Sequence, residues 1–290
     1  MARRAAQIEA IRNEKKNVIV LDCGDMCFSK ISQTSLKPEV IFWSMKKMNY
    51  DVINVADGEL SFSPDYFLKK AKMIGTRFVS ANVWLKDDQT GLIKKYVVLN
   101  VGHMKICVTG ILAPIYQPKD AEKMGISVTS PDEELHNVLN EVRGRVDLVI
   151  LLAHLEYSAT KDFLLLNDLK GIDIAIAGHG RNFTPDIEFI NGTALVENSM
   201  GGEQFATLTV QMDQKNIKEK YKNENVELTE EYPDDPEIRK KLDELKKKEA
   251  EIFEKKFLGQ KKKDEQKEQR EILKLSPEEF IKTLKKDNVH

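Results

Sequence analysis

The feature of this sequence that most constrains its fold is a regular alternation of short apolar runs with segments that carry apolar residues at helical spacing. The apolar runs of strand length are residues 17–22, 52–55, 77–80, 147–152 and 172–177. Amphipathic segments lie between them, and this alternation is typical of an α/β sheet whose strands are mainly parallel. Two hairpins are also predicted, one over residues 94–112 turned at Gly102 and one at Asn191-Gly192 in an antiparallel end of the sheet.

Charged residues are concentrated at the C-terminal end of the chain. Residues 211–290 contain 21 Lys and Arg and 21 Asp and Glu, so more than half of this segment is charged, and only one of the 15 glycines lies there. We therefore predict an α/β domain at residues 1–210 and a charged helical linker or tail at residues 211–290, with one helix that starts after Pro236. The sparse apolar residues of that helix fit either contact with another domain or protein, or extension into solvent.

The composition also excludes some classes of function. The formal net charge is −2, so no global basic field attracts nucleic acid or an anionic membrane. No stretch approaches the roughly 18 to 20 consecutive apolar residues of a membrane span, and the N-terminus lacks the apolar region of about 7 to 15 residues of a secretory signal. The three cysteines, Cys23, Cys27 and Cys107, are predicted to be small buried residues.

Polar side chains follow the apolar strands at the points where the strands end. These residues are Asp25, Asp57, Glu59, Asn82, His154 and His179. Taken singly, an aspartate after a glycine is usually a turn or helix cap, and a lone histidine is usually a satisfied surface or core residue. In open α/β sheets, however, ligands collect at the carboxyl ends of the strands. Two histidines that face two carboxylates there form a nitrogen and oxygen ligand set suited to zinc, manganese or iron.

The order and spacing of these motifs resemble a known family. The series VIVLDCGD, YDVINVADGEL, FVSANV, KICVTGIL, VILLAHLEY and GIDIAIAGHGR is similar to the calcineurin-like metallophosphoesterases, and within them to the N-terminal catalytic domain of the 5′-nucleotidase (UshA-like) branch. The resemblance covers residues 1 to about 240. It implies a four-layered α/β/β/α sandwich in which two metal ions activate a bridging water that attacks a phosphate ester.

The resemblance also assigns roles to single residues. Asp25 matches the aspartate that bridges both metals, and His154 and His179 match the two histidines of the second metal. Asp57 stands where the family usually has an asparagine ligand, and its carboxylate can bind a metal through oxygen. Asn82 matches a residue near the site and is given a supporting role. Four ligands remain, which is enough for one divalent ion.

The departures from the family pattern all affect the other metal and its acid. The family's opening motif, an aspartate and a histidine two residues apart, would precede Met1, and the second histidine of Gly-His-x-His is replaced by Arg181. The histidine that protonates the leaving group is matched by Gly58. Either the start of the chain is truncated or the domain is divergent, and truncation does not explain Gly58 or Arg181. A second metal site is therefore not expected.

Two further residues keep alternative interpretations. Arg181 could hold a phosphate bidentately in place of the lost cation, or face solvent. Glu59 could be an additional ligand, a general acid, or a carboxylate at the start of a helix. No catalytic acid is assigned from the sequence.

The resulting hypothesis is a metal-dependent phosphoester hydrolase of the 5′-nucleotidase type that acts on a small phosphorylated substrate such as a nucleotide. The main alternative is a non-catalytic metal-binding or scaffold module with the same fold, and a weaker one is a hydrolase of a different ester. The tail is too short for the second domain that stacks on the base in 5′-nucleotidases. By resemblance the protein is periplasmic or extracytoplasmic, whereas with its present start it would be cytoplasmic.

Overall fold

The structure is a computed structural model, and it describes residues 1–26, 36–61, 63–113, 118–167, 169–180, 186–198, 204–212 and 220–272. The chain forms two compact units, Met1–Arg239 and Lys240–His290. The helices in the described part of the chain are α1 (Ala2–Glu14), α2 (Leu36–Met48), α3 (Asp57–Leu60), α4 (Pro64–Ile74), α5 (Pro118–Lys123), α6 (Pro131–Val142), α7 (Tyr157–Leu166) and α8 (Pro236–Ile272).

Two sheets form the centre of the first unit. The smaller sheet is parallel, with the order β1 (Leu21–Asp22), β2 (Val52–Asn54), β3 (Arg77–Val79) and β5 (Ile93–Lys94). The larger sheet has the order β11 (Glu188–Ile190), β12 (Thr193–Glu197), β10 (Ile174–Ala177), β9 (Leu148–His154), β7 (Met104–Leu112) and β6 (Tyr96–Val101). Strands β12, β10, β9 and β7 are parallel, and the two outer strands are antiparallel to their neighbours.

Two short antiparallel pairs complete the strands. They are β4 (Val83–Leu85) with β8 (Ile126–Val128), and β13 (Gln204–Val210) with β14 (Tyr221–Glu227). The two predicted hairpins are confirmed. Gly102, with φ +60°, turns β6 into β7, and Asn191 and Gly192, with φ +51° and +90°, turn β11 into β12.

The apolar side chains of β9 explain the layering, because both faces of this strand are buried. Leu151 packs in a cluster with Leu135 of α6 and Leu164 of α7. Leu152 on the opposite face packs with Val52 of β2, in the layer between the two sheets. This burial on both faces accounts for the continuous apolar run LVILLA, which is typical of a central parallel strand.

Helices α2 and α4 cover the outer face of the smaller sheet. Phe67 of α4 makes an edge-to-face contact with Phe78 of β3, with ring centroids 5.1 Å apart, and it also lies against Phe42 of α2. The succession is therefore helices, sheet, sheet, helices. The four-layered α/β/β/α sandwich predicted from the resemblance is confirmed.

Part of the predicted tail belongs to the first unit. Strand β14 pairs with β13 over its whole length, so residues beyond 210 contribute a strand there. Helix α8 begins at Pro236, as the sequence predicts, and Asp235 caps it by accepting the N–H of Ile238 at 2.8 Å. No helix within the described ranges combines the length and apolar character needed to cross a bilayer.

The thiols of Cys23 and Cys107 are buried and are not disulfide-bonded, whereas Cys27 lies outside the described residues. Burial raises the pKa of both thiols, to about 12 for Cys107. Because the thiolate is the reactive form, we expect neither cysteine to react with iodoacetamide in the native protein, and both to react in urea. Peptide mass spectrometry measures the labelling, and native alkylation of Cys107 would contradict the prediction.

Candidate metal centre

The predicted ligands lie where strands of the two sheets end. Asp25 follows β1, and Asp57 begins α3 directly after β2. His154 is the last residue of β9, and His179 follows β10, whose Ala177 pairs with Ala153. Parallel pairing brings the carboxyl ends of neighbouring strands to one edge, so each sheet delivers two of these residues to the same place.

These residues form what we call the four-residue cluster: Asp25, Asp57, His154 and His179. Asp25, His154 and His179 offer ligand atoms that all lie within 4.8 Å of one another. His154 Nε2 is 2.9 Å from His179 Nδ1 and 3.2 Å from Asp57 Oδ1. His154 is buried and His179 is exposed, so the cluster extends from the protein interior to the surface.

The backbone of the smaller sheet orients the His154 ring. Its Nδ1 donates a hydrogen bond to the carbonyl oxygen of Cys23 at 3.2 Å. This bond leaves Nε2 directed at the other members of the cluster. A metal-binding histidine commonly has its second ring nitrogen fixed in this way, which selects the tautomer that can bind the ion.

The donor atoms fit a divalent cation. Asp25 Oδ1 is buried and has no hydrogen-bond partner in the described part of the chain, although buried carboxylate oxygens are normally paired. Two imidazole nitrogens and two carboxylates suit zinc, manganese or iron. Among the described residues, no other group of three His, Cys, Asp or Glu side chains converges in the same way.

Burial and charge shift the ionisation of the cluster. Burial and the nearby Asp57 raise the pKa of Asp25 to about 6. The hydrogen bond with His154 lowers the pKa of Asp57. Burial lowers the pKa of His154, but its hydrogen bond with Asp57 and the charges of the carboxylates outweigh burial, so the pKa of His154 is raised. Positive charge on the His154 ring thus favours the ionised forms of the Asp25 and Asp57 carboxylates.

The Glu59 carboxylate bonds backbone N–H groups next to the four-residue cluster. Glu59 is 2% exposed, and both of its carboxylate oxygens accept backbone N–H groups. Burial raises the pKa of Glu59 to about 7, against the opposing effect of these hydrogen bonds. This position agrees with a carboxylate at the start of a helix and gives no support to a ligand or an exposed acid.

Gly58 packs directly against Asp25. A Cβ atom at position 58 would lie 2.0 Å from Asp25 Oδ1 and 2.9 Å from Asp25 Cα. The nearby backbone N–H of Gly58 opposes the rise in the pKa of Asp25. The position to which the resemblance assigns the acid therefore has no room for a side chain here.

The remaining predicted residues have different positions. Asn82 is fully buried, and its side chain bonds Ser80 and several backbone groups, including the carbonyl oxygens of Leu112 at 2.8 Å and Thr129 at 3.1 Å. Because Leu112 pairs with His154, Asn82 supports the strand next to the cluster. Arg181 lies outside the described residues.

Two further polar residues lie beside the site and are not predicted from the sequence. The Asn54 Nδ2 group donates to the carbonyl oxygens of Cys23 at 3.2 Å and Ile111 at 3.0 Å, which ties the two sheets together. Glu197 is 2% exposed at the end of β12, and its Oε2 has no hydrogen-bond partner among the described residues. The sequence signals for these residues are the polar Asn54 inside the apolar strand VINV and the polar Glu197 at the end of the strand TALVE.

Sequence comparison finds relatives among nucleotide phosphoesterases. The chain is 26% identical over 197 residues to a snake venom 5′-nucleotidase from Crotalus adamanteus, which covers 63% of this chain and 32% of that protein. It is 23% identical over 285 residues to the trifunctional nucleotide phosphoesterase protein YfkN from Bacillus subtilis (strain 168). That match covers 84% of this chain and 19% of that protein. The chain thus spans about a third or less of the length of these relatives. No family model matches it.

Solved structures share the fold over most of the chain. The sulfate thiohydrolase SoxB from Thermus thermophilus has a TM-score of 0.71 at 17% identity and covers 84% of this chain and 46% of its own. A 5′-nucleotidase precursor, also from Thermus thermophilus, has a TM-score of 0.69 at 19% identity, and the match covers 86% of this chain and 53% of the precursor. The calcineurin-like phosphoesterase YfkN from Bacillus subtilis has a TM-score of 0.70 at 18% identity, and the match covers 86% of this chain and 89% of the YfkN chain.

The layered fold is the one seen in solved structures of the calcineurin-like phosphoesterase class. Within that class, the chain resembles the N-terminal domains of 5′-nucleotidases and of YfkN- and UshA-like phosphoesterases. The resemblance predicted from the motifs is confirmed.

Proposed function

We propose that this domain hydrolyses a phosphoester by means of one divalent metal ion held by the four-residue cluster. Two observations carry the proposal: ligand atoms of Asp25, His154 and His179 lie within 4.8 Å of one another, and the buried Asp25 Oδ1 has no hydrogen-bond partner among the described residues. Zinc, manganese or iron bound there would polarise the phosphoryl group and lower the pKa of a water molecule. The proposed chemistry follows that of the phosphoesterases to which the chain is similar.

The protein's own residues would prepare this chemistry in two ways. Hydrogen bonding to Cys23 keeps His154 Nε2 turned toward the cluster, so no reorientation is needed when the ion binds. The carboxylates of Asp25 and Asp57 supply the negative charge that offsets the ion. The proton for the leaving group must come from solvent or the substrate, or from a residue other than position 58, because Gly58 has no side chain.

The proposed substrate is a small phosphorylated molecule, with nucleotides as the first class to test. Support comes from the relatives, which are a venom 5′-nucleotidase and a trifunctional nucleotide phosphoesterase. The venom relative also supports an extracytoplasmic location.

A second candidate is a metal-binding module without hydrolytic activity. The observation that favours it is the contact between Gly58 and Asp25, which leaves no space for an acid at the position where the family has one. The two candidates agree on the metal and differ on turnover, so they are separated by measuring both quantities on one preparation.

Metal removal provides that test. We expect the purified protein to contain about one equivalent of transition metal, and dialysis against EDTA to abolish hydrolysis of p-nitrophenyl phosphate and of nucleoside monophosphates. Added Mn²⁺ or Zn²⁺ should restore the activity, whereas Mg²⁺ should do so poorly because imidazole ligands suit it badly. Metal content without hydrolysis would favour the second candidate. Hydrolysis that survives complete metal removal would contradict the proposal.

A further inference from the structure

Glu59 connects two segments of the chain that both carry members of the four-residue cluster. Its Oε2 accepts the N–H of Asp25 at 2.9 Å and the N–H of Ala56 at 2.9 Å. Its Oε1 accepts the N–H of Met26 at 2.8 Å. One buried carboxylate therefore holds the loop after β1 and the start of α3 together.

The loop after β1 needs such support because its backbone is unfavourable. Gly24 has φ +93° and Asp25 has φ +66°. A residue with a Cβ is disfavoured in the left-handed region relative to an ordinary conformation. The two hydrogen bonds from Asp25 and Met26 to Glu59 offset that cost and keep the carboxylate of Asp25 in the cluster.

Helix capping alone does not account for these contacts. A glutamate at this place in a helix commonly accepts the backbone N–H just before the helix, which here is the bond from Ala56. The bonds from Asp25 and Met26 reach across 34 and 33 residues of sequence and contribute nothing to α3 itself. Their effect is on the position of Asp25 relative to Asp57, the first residue of α3.

We propose that Glu59 is a positioning residue that sets the metal affinity of the four-residue cluster. It fixes Asp25 and Asp57 at the separation that one ion requires, without touching the ion. The inference rests on the proposed function, since it concerns the same metal. Partners of metal ligands typically change metal affinity by about 10- to 100-fold when they are replaced.

The test is a Co²⁺ titration of the full chain, because the visible absorption of Co²⁺ reports the geometry of its ligands. Glu59→Gln keeps the shape, but its amide nitrogen cannot accept an N–H. We expect the Kd for Co²⁺ to rise about 10- to 100-fold and the visible bands to shift. Glu59→Asp keeps the charge but is one methylene shorter, and it should raise the Kd for Co²⁺ by a smaller factor. It replaces Glu59→Gln as the test variant if Glu59→Gln does not fold.

Asp88→Asn is the matched control. The carboxylate of Asp88 also holds a loop, since it accepts the N–H groups of Leu92 at 2.8 Å and Ile93 at 2.9 Å, but it is not part of the cluster. We expect this variant to lose stability without a change in Co²⁺ affinity or spectrum. Unchanged Co²⁺ binding in both Glu59 variants, or an equal loss in Asp88→Asn, would overturn the positioning role alone. A wild-type chain that binds no Co²⁺ would refute the proposed function as well.

Discussion

His154→Ala is expected to remove metal binding and phosphoester hydrolysis together. The Nε2 atom of this buried ring lies within hydrogen-bond distance of both His179 and Asp57. Its loss removes a ligand and leaves two neighbouring carboxylates without their imidazole. We expect the Kd for Mn²⁺ or Zn²⁺ to rise by more than about 100-fold, beyond the usual effect of replacing a ligand's partner, and activity to fall at least as much.

His154→Ala should also lower the free energy of unfolding, by about 1–3 kcal/mol, because it opens a cavity and breaks the bond to the Cys23 carbonyl. Metal content by mass spectrometry, a binding titration and urea unfolding measure the three effects. The control is His136→Ala. His136 is exposed on α6 and its ring bonds the Asp132 carbonyl oxygen, away from the cluster, so metal and activity should be unchanged. Stoichiometric metal in His154→Ala would contradict the assignment of this residue.

The strand ends were predictable from the sequence for a simple physical reason. A central parallel strand is apolar on both faces, so the first polar residue after it marks where the strand reaches the edge of the sheet. His154 follows LVILLA in this way, and the structure brings it to Asp57 from the other sheet. The motif order then identified the fold, because each motif contributes one strand end to the same edge.

The contacts within the site cannot be predicted from the order of polar and apolar residues in the sequence. Glu59 bonds backbone N–H groups more than 30 residues away, and backbone atoms leave no trace in the order of side chains. The close approach of Gly58 to Asp25 also depends on how the β1 loop folds back over α3. The high charge and low glycine content of residues 211–290 predict a helical linker or tail, and they do not indicate strand β14.

Gly58→His, which would supply the acid that the resemblance of the motifs implies at this position, is expected to inactivate the protein. Any Cβ at position 58 meets Asp25 at 2.0 Å from Oδ1 and 2.9 Å from Cα. The Oδ1 atom could rotate away, but the Cα atom moves only with the loop that Glu59 holds. Asp25 must therefore leave the cluster, and we expect metal affinity and activity to fall by about 100-fold or more, in Gly58→Ala as well as in Gly58→His.

The stability of both variants should fall by about 1–3 kcal/mol, as is typical of overpacking. Gly75→Ala is the control, because a Cβ there meets no atom within 4 Å while its φ of +71° imposes backbone strain. That variant should lose roughly 1–2 kcal/mol with its metal affinity intact. Comparing the variants by Co²⁺ titration and urea unfolding separates crowding of Asp25 from general destabilisation. If Gly58→His instead hydrolysed p-nitrophenyl phosphate faster than the wild type, the loop would have moved aside, and the missing acid rather than the packing of Asp25 would limit the reaction.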